Sequence, residues 1–259
     1  MIDNQILSII NVSVFGAVLG SFYNVLIYRI PLGKSIVYPA SACPECGEKI
    51  KYYDNIPILS YLFLKGKCRR CGTSISIQYL LIEIITALIA GFIFAKNGFH
   101  LNFISDFTLA SILLISSAID LKYMIIPNKI TYTGAIIGIA LSLFRGKEWI
   151  LRSALGAGVG FLFIMSMLLL GRILYRRDGV GYGDVKLAMV TGIFIGPLWC
   201  FISLVAAVVT GGLWGIFQII SGRPVKGIEM PFGPFIAAGG IFVLFYNEKI
   251  LYLLSKYLN

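Results

Sequence analysis

Long apolar stretches recur from one end of this chain to the other, and they limit its possible folds more than any other feature. Apolar runs lie near 6–28, 79–95, 102–119, 130–144, 153–173, 187–199, 200–220 and 233–254. A helix needs about 20 apolar residues to cross a hydrocarbon layer. The chain therefore reads as an all-α polytopic membrane protein with about eight transmembrane helices. The division of 187–220 into two helices rests on Gly196-Pro197, a turn-forming pair inside an apolar run. The first run is no cleavable signal peptide, because MIDNQ holds no basic residue.

Composition excludes several classes of function. Charged residues are 13% of the 259, about half the usual share of a soluble domain. A soluble nucleic-acid binder is thereby excluded despite a net charge of +10, and so is a disordered chain. The one histidine, His100, leaves no pair for an H-E-x-x-H zinc protease. His100 itself reads as an exposed residue of a short outer loop.

Lys and Arg gather on the cytoplasmic side of membrane proteins. With the N-terminus outside, the inner loops hold Arg29, Lys34, Lys49, Lys51, Lys65, Lys67, Arg69, Arg70, Lys122, Lys129, Arg172, Arg176, Arg177, Lys186, Arg223 and Lys226. Only Lys96, Arg145, Lys147, Arg152, Lys249 and Lys256 stay outside. The basic excess is then mostly an orientation signal, with anionic lipid contact as a consequence.

Residues 1–28 thus form a first transmembrane helix, 29–78 a cytoplasmic insert and 79–259 the membrane core. The insert, about fifty residues long, is too short to bury much of a core without a staple. It carries two C-x-x-C pairs, Cys43/Cys46 and Cys68/Cys71, each followed by a glycine, Gly47 and Gly72. Two such turns complete a tetrahedral four-thiolate shell that suits structural Zn²⁺. Disulfides are the alternative, and a reducing cytosol argues against them. Cys200 lies in an apolar run and reads as packing.

Setting aside acids in loops and chain ends leaves Glu83, Asp106, Asp120 and Asp184 at membrane depth or span ends. Such acids are costly and usually functional. Asp120 closes the third span. Asp184 follows Gly181-Tyr182-Gly183 and falls where a helix N-cap stands, with glycines that permit positive φ and close backbone approach. By the orientation above, both lie at the cytoplasmic face. Two carboxylates brought together share a proton, so one activates water while the other donates to a carbonyl. That is aspartic-protease chemistry. The plain alternatives are an N-cap for Asp184 and an interfacial acid for Asp120. Glu83, one turn inside the second span, pairs with a surface base or assists the site. Asp106, at the outer end of the third span, reads as solvated. Lys186 orients the loop, contacts substrate or anchors at the interface, and Gly181 and Gly183 shape the loop. The 231–235 segment, PFGPF, forms a wall of the site or a plain helix entry.

The segments GSFYNVLIYRIP (20–31), CPECGEKIKYYDNIPILSYLFLKGKCRRCG (43–72), AIDLKYMIIPN (118–128), GYGDVKL (181–187) and MPFGPFIA (230–237) together resemble the type IV prepilin peptidases, bifunctional leader peptidases and N-methyltransferases. The resemblance runs from the first span to the last. It implies an eight-helix GxGD aspartic protease with Asp120 and Asp184 as the catalytic pair. It implies cleavage of prepilin and pseudopilin leaders on the cytoplasmic face of the cell membrane, typically after a glycine. S-adenosylmethionine-dependent methylation of the new N-terminus would follow, with the insert of Cys43, Cys46, Cys68 and Cys71 linked to that activity. Asn128 stands where the family commonly has Asp, and Gln78 and Leu80 stand where Arg and Pro are common. Gln78 thereby removes a cation near Glu83. No G-x-G-x-x-G fingerprint is present, so the methyltransferase half rests on the resemblance. The rival from another class is a proton-coupled transporter that uses the acids as a relay.

Overall fold

The computed structural model describes residues 2–175, 180–221 and 230–258. Arg176, Arg177, Arg223 and Lys226, on which part of the orientation rests, lie outside the described residues, as do the loop acids Asp178 and Glu229. Among the described residues the regular structure is helical. It comprises α1 (Ile2–Arg29), α2 (Leu59–Phe63), α3 (Ile77–Asn97), α4 (Leu101–Tyr123), α5 (Asn128–Arg145), α6 (Lys147–Tyr175), α7 (Tyr182–Ile220) and α8 (Gly233–Leu258). Every predicted apolar run falls on one of these helices.

Six helical stretches are long and apolar enough to cross a membrane: Asn4–Arg29, Ile77–Asn97, Leu101–Tyr123, Lys147–Ile173, Tyr182–Ile220 and Gly233–Tyr252. The difference from eight has two sources. The helix α5 carries Asn128, Lys129, Thr131 and Thr133 in its first turns, which dilutes its hydropathy. The two runs expected in 187–220 form one helical element, α7, broken at Gly196.

That break is a reversal. Gly196 has φ 78°, in the region glycine tolerates, and Pro197 follows. The Cys200 thiol lies 3.7 Å from the Ala188 carbonyl oxygen. Twelve residues of straight helix would hold those positions about 18 Å apart. The element is therefore a hairpin of two arms, 182–195 and 197–220. Cys200 is fully buried against the first arm, in keeping with a packing role.

The chain divides into two compact units, Met1–Phe103 and Ile104–Asn259. In the first, α3 packs on α1, which is why the boundary falls later than the end of the insert at 78. A Cβ at Gly16 would stand 2.7 Å from the Ala90 Cβ, and one at Gly20 would stand 2.8 Å from the Glu83 Cα. Small residues that let helix backbones approach are a common means of association in membranes. Ser76 caps α3 by accepting a hydrogen bond from the Gln78 N–H.

In the second unit α6 runs along the first arm of α7, and Gly156 and Gly192 face each other too closely for any side chain. Ser153 Oγ donates to the Ile193 carbonyl at 2.7 Å, which ties the same two helices. Asp106 is half-buried, so it keeps part of the solvent contact that the sequence suggested. It acts electrostatically on Arg145 of α5, a cation that compensates for its partial loss of water. His100 is exposed between α3 and α4, as expected.

Candidate active site

Asp120 and Asp184 both belong to the second unit and are 6% and 7% exposed. Each is oriented by the N–H of a glycine at a helix N-terminus. Gly233 begins α8, and its N–H donates to Asp120 Oδ2 at 2.9 Å. Gly181 precedes α7, and its N–H donates to Asp184 Oδ2 at 2.9 Å. Helix N-termini favour such anionic groups. Asp184 also feels the charge of Asp120, so the two carboxylates are electrostatic neighbours. Asp184 Oδ1 is buried and without a hydrogen-bond partner among the described residues.

The local geometry corrects two expectations. Asp184 is not the N-cap of α7. Gly181 is, and Asp184 stands three residues on, reaching back to the cap N–H. Nor do the loop glycines supply positive φ, since Gly181 has φ −85° and Gly183 is helical. The close approach expected of them does hold at Gly183: a Cβ there would stand 2.9 Å from the Ile126 Cβ. Lys186 Nζ donates to Asn128 Oδ1 at 2.6 Å and so ties the start of α7 to the start of α5.

Glu83 belongs to the first unit. Its Oε2 accepts the Ile58 N–H at 2.7 Å, and Ser21 also hydrogen-bonds to it. No base lies within ion-pair distance of Glu83 among the described residues.

The four insert cysteines are reduced, and their sulfurs all lie within 4.8 Å of one another. Each pair is built the same way. Cys43 N–H donates to Glu48 O and Gly47 N–H returns to Cys43 O; Cys68 N–H donates to Thr73 O and Gly72 N–H returns to Cys68 O. Gly47 and Gly72 adopt φ 70° and 73°, the fold-back expected after each pair. Zn–S bonds of about 2.3 Å in a tetrahedron give sulfur–sulfur edges of about 3.8 Å. Cys43 Sγ lies 3.8 Å from Cys71 Sγ. The donor set thus fits a closed zinc shell. Hydrogen bonds from the Thr73 side chain and backbone pull the Cys71 thiol down to about 6. The Glu48 N–H favours the Cys46 thiolate, yet burial and the neighbouring sulfurs push that thiol up to about 11. Four sulfurs this close need a cation before all can lose their protons. Around them, Arg69 grips the Asp54 carboxylate through three hydrogen bonds of 2.6–3.0 Å. That holds the Asp54 carboxyl below the usual carboxylate range.

Two family models match in tandem. Residues 14–97 match the bacterial peptidase A24 N-terminal domain, and residues 107–216 match the type IV leader peptidase family. A prepilin leader peptidase/N-methyltransferase of Bacillus subtilis (strain 168) is 35% identical over 92% of this chain and 94% of its own length. The chain belongs to the type IV leader peptidase family. Its similarity extends to enzymes of the same name from Burkholderia pseudomallei (strain 1026b), 32% identical over 93% of this chain and 86% of theirs, and Dichelobacter nodosus, 33% identical over 94% and 93%. No solved structure matches. Family membership makes this an aspartic peptidase of the membrane. The transporter reading finds no support: it required mid-helix acids, whereas Asp120 is near the end of α4 and Asp184 in the first turn of α7.

Sequence reasoning named Gly233 only as part of a wall, and its contact with Asp120 was not foreseen. The one available signal was a glycine flanked by prolines in an otherwise apolar segment. A Cβ on Gly233 would stand 2.8 Å from Asp120 Oδ2 and 3.2 Å from its Cβ. If Asp120 takes part in catalysis, Gly233→Ala is expected to lower leader cleavage by about a hundredfold, which a displacement of about 1 Å at a reacting group can cost. Rates in reconstituted membranes, with melting curves alongside, check this.

Proposed function

We propose that the protein removes leader peptides from type IV prepilin-like chains with Asp120 and Asp184 as a catalytic dyad, and then methylates the new N-terminus. The observation that carries this reading is the pair of buried aspartates, each fixed by a glycine N–H, with Asp184 Oδ1 uncommitted. One carboxylate takes a proton from the attacking water while the other gives its proton to the scissile carbonyl oxygen. Neither residue is assigned a fixed role, because a coupled pair titrates together. Gly181, Gly183 and the Lys186–Asn128 tie hold the dyad loop against α5.

The inside excess of Lys and Arg supports a cytoplasmic active site with the N-terminus outside, and eight membrane crossings once the two arms of α7 and the amphipathic α5 are counted. A prepilin leader is basic and cytosolic, and the segment after it is an apolar helix. The scissile bond then lies at the depth of the acids. Residues 29–78 serve as a zinc-stapled insert for the methylation half, and 79–259 as the protease core. Zinc in this site is structural, since four cysteines leave no open ligand position. S-adenosylmethionine, when bound, supplies an electrophilic methyl group to the exposed amine. The Asn24 Oδ1, buried without a partner in the first unit, is an acceptor suited to the cationic groups of that donor.

Intact-mass analysis of a prepilin co-expressed with the protein tests both activities together. Loss of the leader mass and gain of one methyl group are expected. A full-length, unmodified prepilin would overturn the reading.

A further inference from the structure

The first unit holds a second set of buried polar groups that the dyad does not use. Asn24 of α1 is 3% exposed, and its Nδ2 donates to the Tyr79 carbonyl oxygen at 3.1 Å. A carbonyl can only accept, so the amide nitrogen must face it. Asn24 Oδ1 is thereby turned the other way, where it is buried and unpartnered. One turn along the same helix face, Ser21 hydrogen-bonds to Glu83 of α3. Glu83 is 7% exposed and has no cation within 4.0 Å among the described residues. Its Oε2 holds the N–H of Ile58, a β-branched residue at φ 64°. Leu59 N–H closes back on Pro57 O at 2.6 Å, so Ile58 is the centre of a γ-turn of the strained hand. Strained turns of this kind persist where the surroundings over-determine them and gather at ligand sites.

A buried carboxylate without a cation partner and, one turn along the same α1–α3 seam, an orphaned amide oxygen make this stretch rich in acceptors and short of positive charge. We infer that Asn24, Ser21 and Glu83 form a cation-recognition site for one reactant of methyl transfer, an inference that rests on the methyltransferase reading above. The ligand chemistry is a sulfonium or alkylammonium group. Two reactants carry it: the methyl donor, and the α-amine of the freshly cleaved chain. Transfer turns the donor's sulfonium into a neutral thioether, so a carboxylate at the sulfonium would also favour fresh donor over spent product.

The test uses the full-length protein in lipid nanodiscs, comparing wild type with Glu83→Gln and Asn24→Leu. Glutamine keeps an acceptor for the Ile58 N–H and removes only the charge. Bound zinc and melting temperature report on the fold. Equilibrium dialysis gives Kd for S-adenosylmethionine and for S-adenosylhomocysteine, and steady-state methylation gives KM for a cleaved prepilin peptide. If the donor's sulfonium sits here, Glu83→Gln weakens S-adenosylmethionine at least about tenfold and leaves S-adenosylhomocysteine nearly unchanged. If the peptide amine sits here, both Kd values hold while the peptide KM rises by a similar factor. Asn24→Leu shifts the same constant in the same direction. Constants within twofold of wild type in both variants overturn the inference, as does loss of zinc from Glu83→Gln, which would assign the carboxylate to holding the insert. A wild type that neither binds donor nor methylates marks failure of the broader reading instead.

Discussion

Asparagine in place of either Asp120 or Asp184 is expected to lower leader cleavage by about a thousandfold, within the range for loss of a general acid or base. Asparagine has nearly the volume of aspartate and keeps a carbonyl oxygen. In Asp120→Asn that oxygen still accepts the Gly233 N–H, and in Asp184→Asn it still accepts the Gly181 N–H. The caps of α8 and α7 therefore survive, and so does the fold. What goes is the shared proton. An amide neither takes a proton from water nor gives one to a carbonyl. The measurement is initial cleavage of a prepilin by each purified variant in liposomes, with circular dichroism to confirm unchanged helix content. The double variant should be little worse than either single one, because the two groups act as a unit. Wild-type cleavage by Asp120→Asn or by Asp184→Asn would sink the dyad and leave the aspartates as helix caps.

The second large effect concerns the insert. Cys43→Ser and Cys68→Ser are each expected to reduce bound zinc from one ion per chain to near none, and to abolish methylation while cleavage persists. The reason is the lack of any other means of holding the segment. Between Ile30 and Gln78 the only buried residue is Gly66, and neither α2 nor the 3₁₀ turn Tyr52–Asn55 buries a side chain. Its sheet structure is two isolated bridges, Ala42 with Lys49 and Lys67 with Ser74. Zinc binding in small sites is worth about 10–16 kcal/mol near neutral pH and is lost as protons compete for the thiolates. Ion pairs such as Arg69 with Asp54 and Arg70 with Glu48 lie on the surface, where each contributes little. Elemental analysis of the purified variants reads the zinc. Intact mass of the processed prepilin reads the methyl. A wild-type protein that is active and free of zinc would refute the staple.

What could be read before any coordinates follows from the physics of each feature. Long apolar runs are a local property, so each fell on a helix. A charge in such a run is conspicuous, which singled out Asp120 and Asp184. The four cysteines were legible because metal ligation fixes residue type and spacing together. Long-range pairings left no such mark. Nothing near Asp120 announces that Gly233, 113 residues later, supplies its hydrogen bond. An acid before an apolar run looks alike at the N-cap and three residues further on, so Asp184 was misplaced by those three. Glu83 was expected to meet a base or assist the site; no base pairs with it among the described residues, and the backbone N–H of the insert that it holds is a donor that carries no sequence signature.

The hairpin at Gly196 has a bearing on the lipid itself. Its first arm, 182–195, rises only about 21 Å at 1.5 Å per residue, against a hydrocarbon slab of about 30 Å. Thinning of the slab is one way in which a membrane accommodates a helix this short. Asp184 heads that arm, so a patch thinned in this way lies beside it. On the proposed reading, such a dimple gives water and a polar leader a path to the acids, so that hydrolysis stays wet although its residues are counted among the membrane helices.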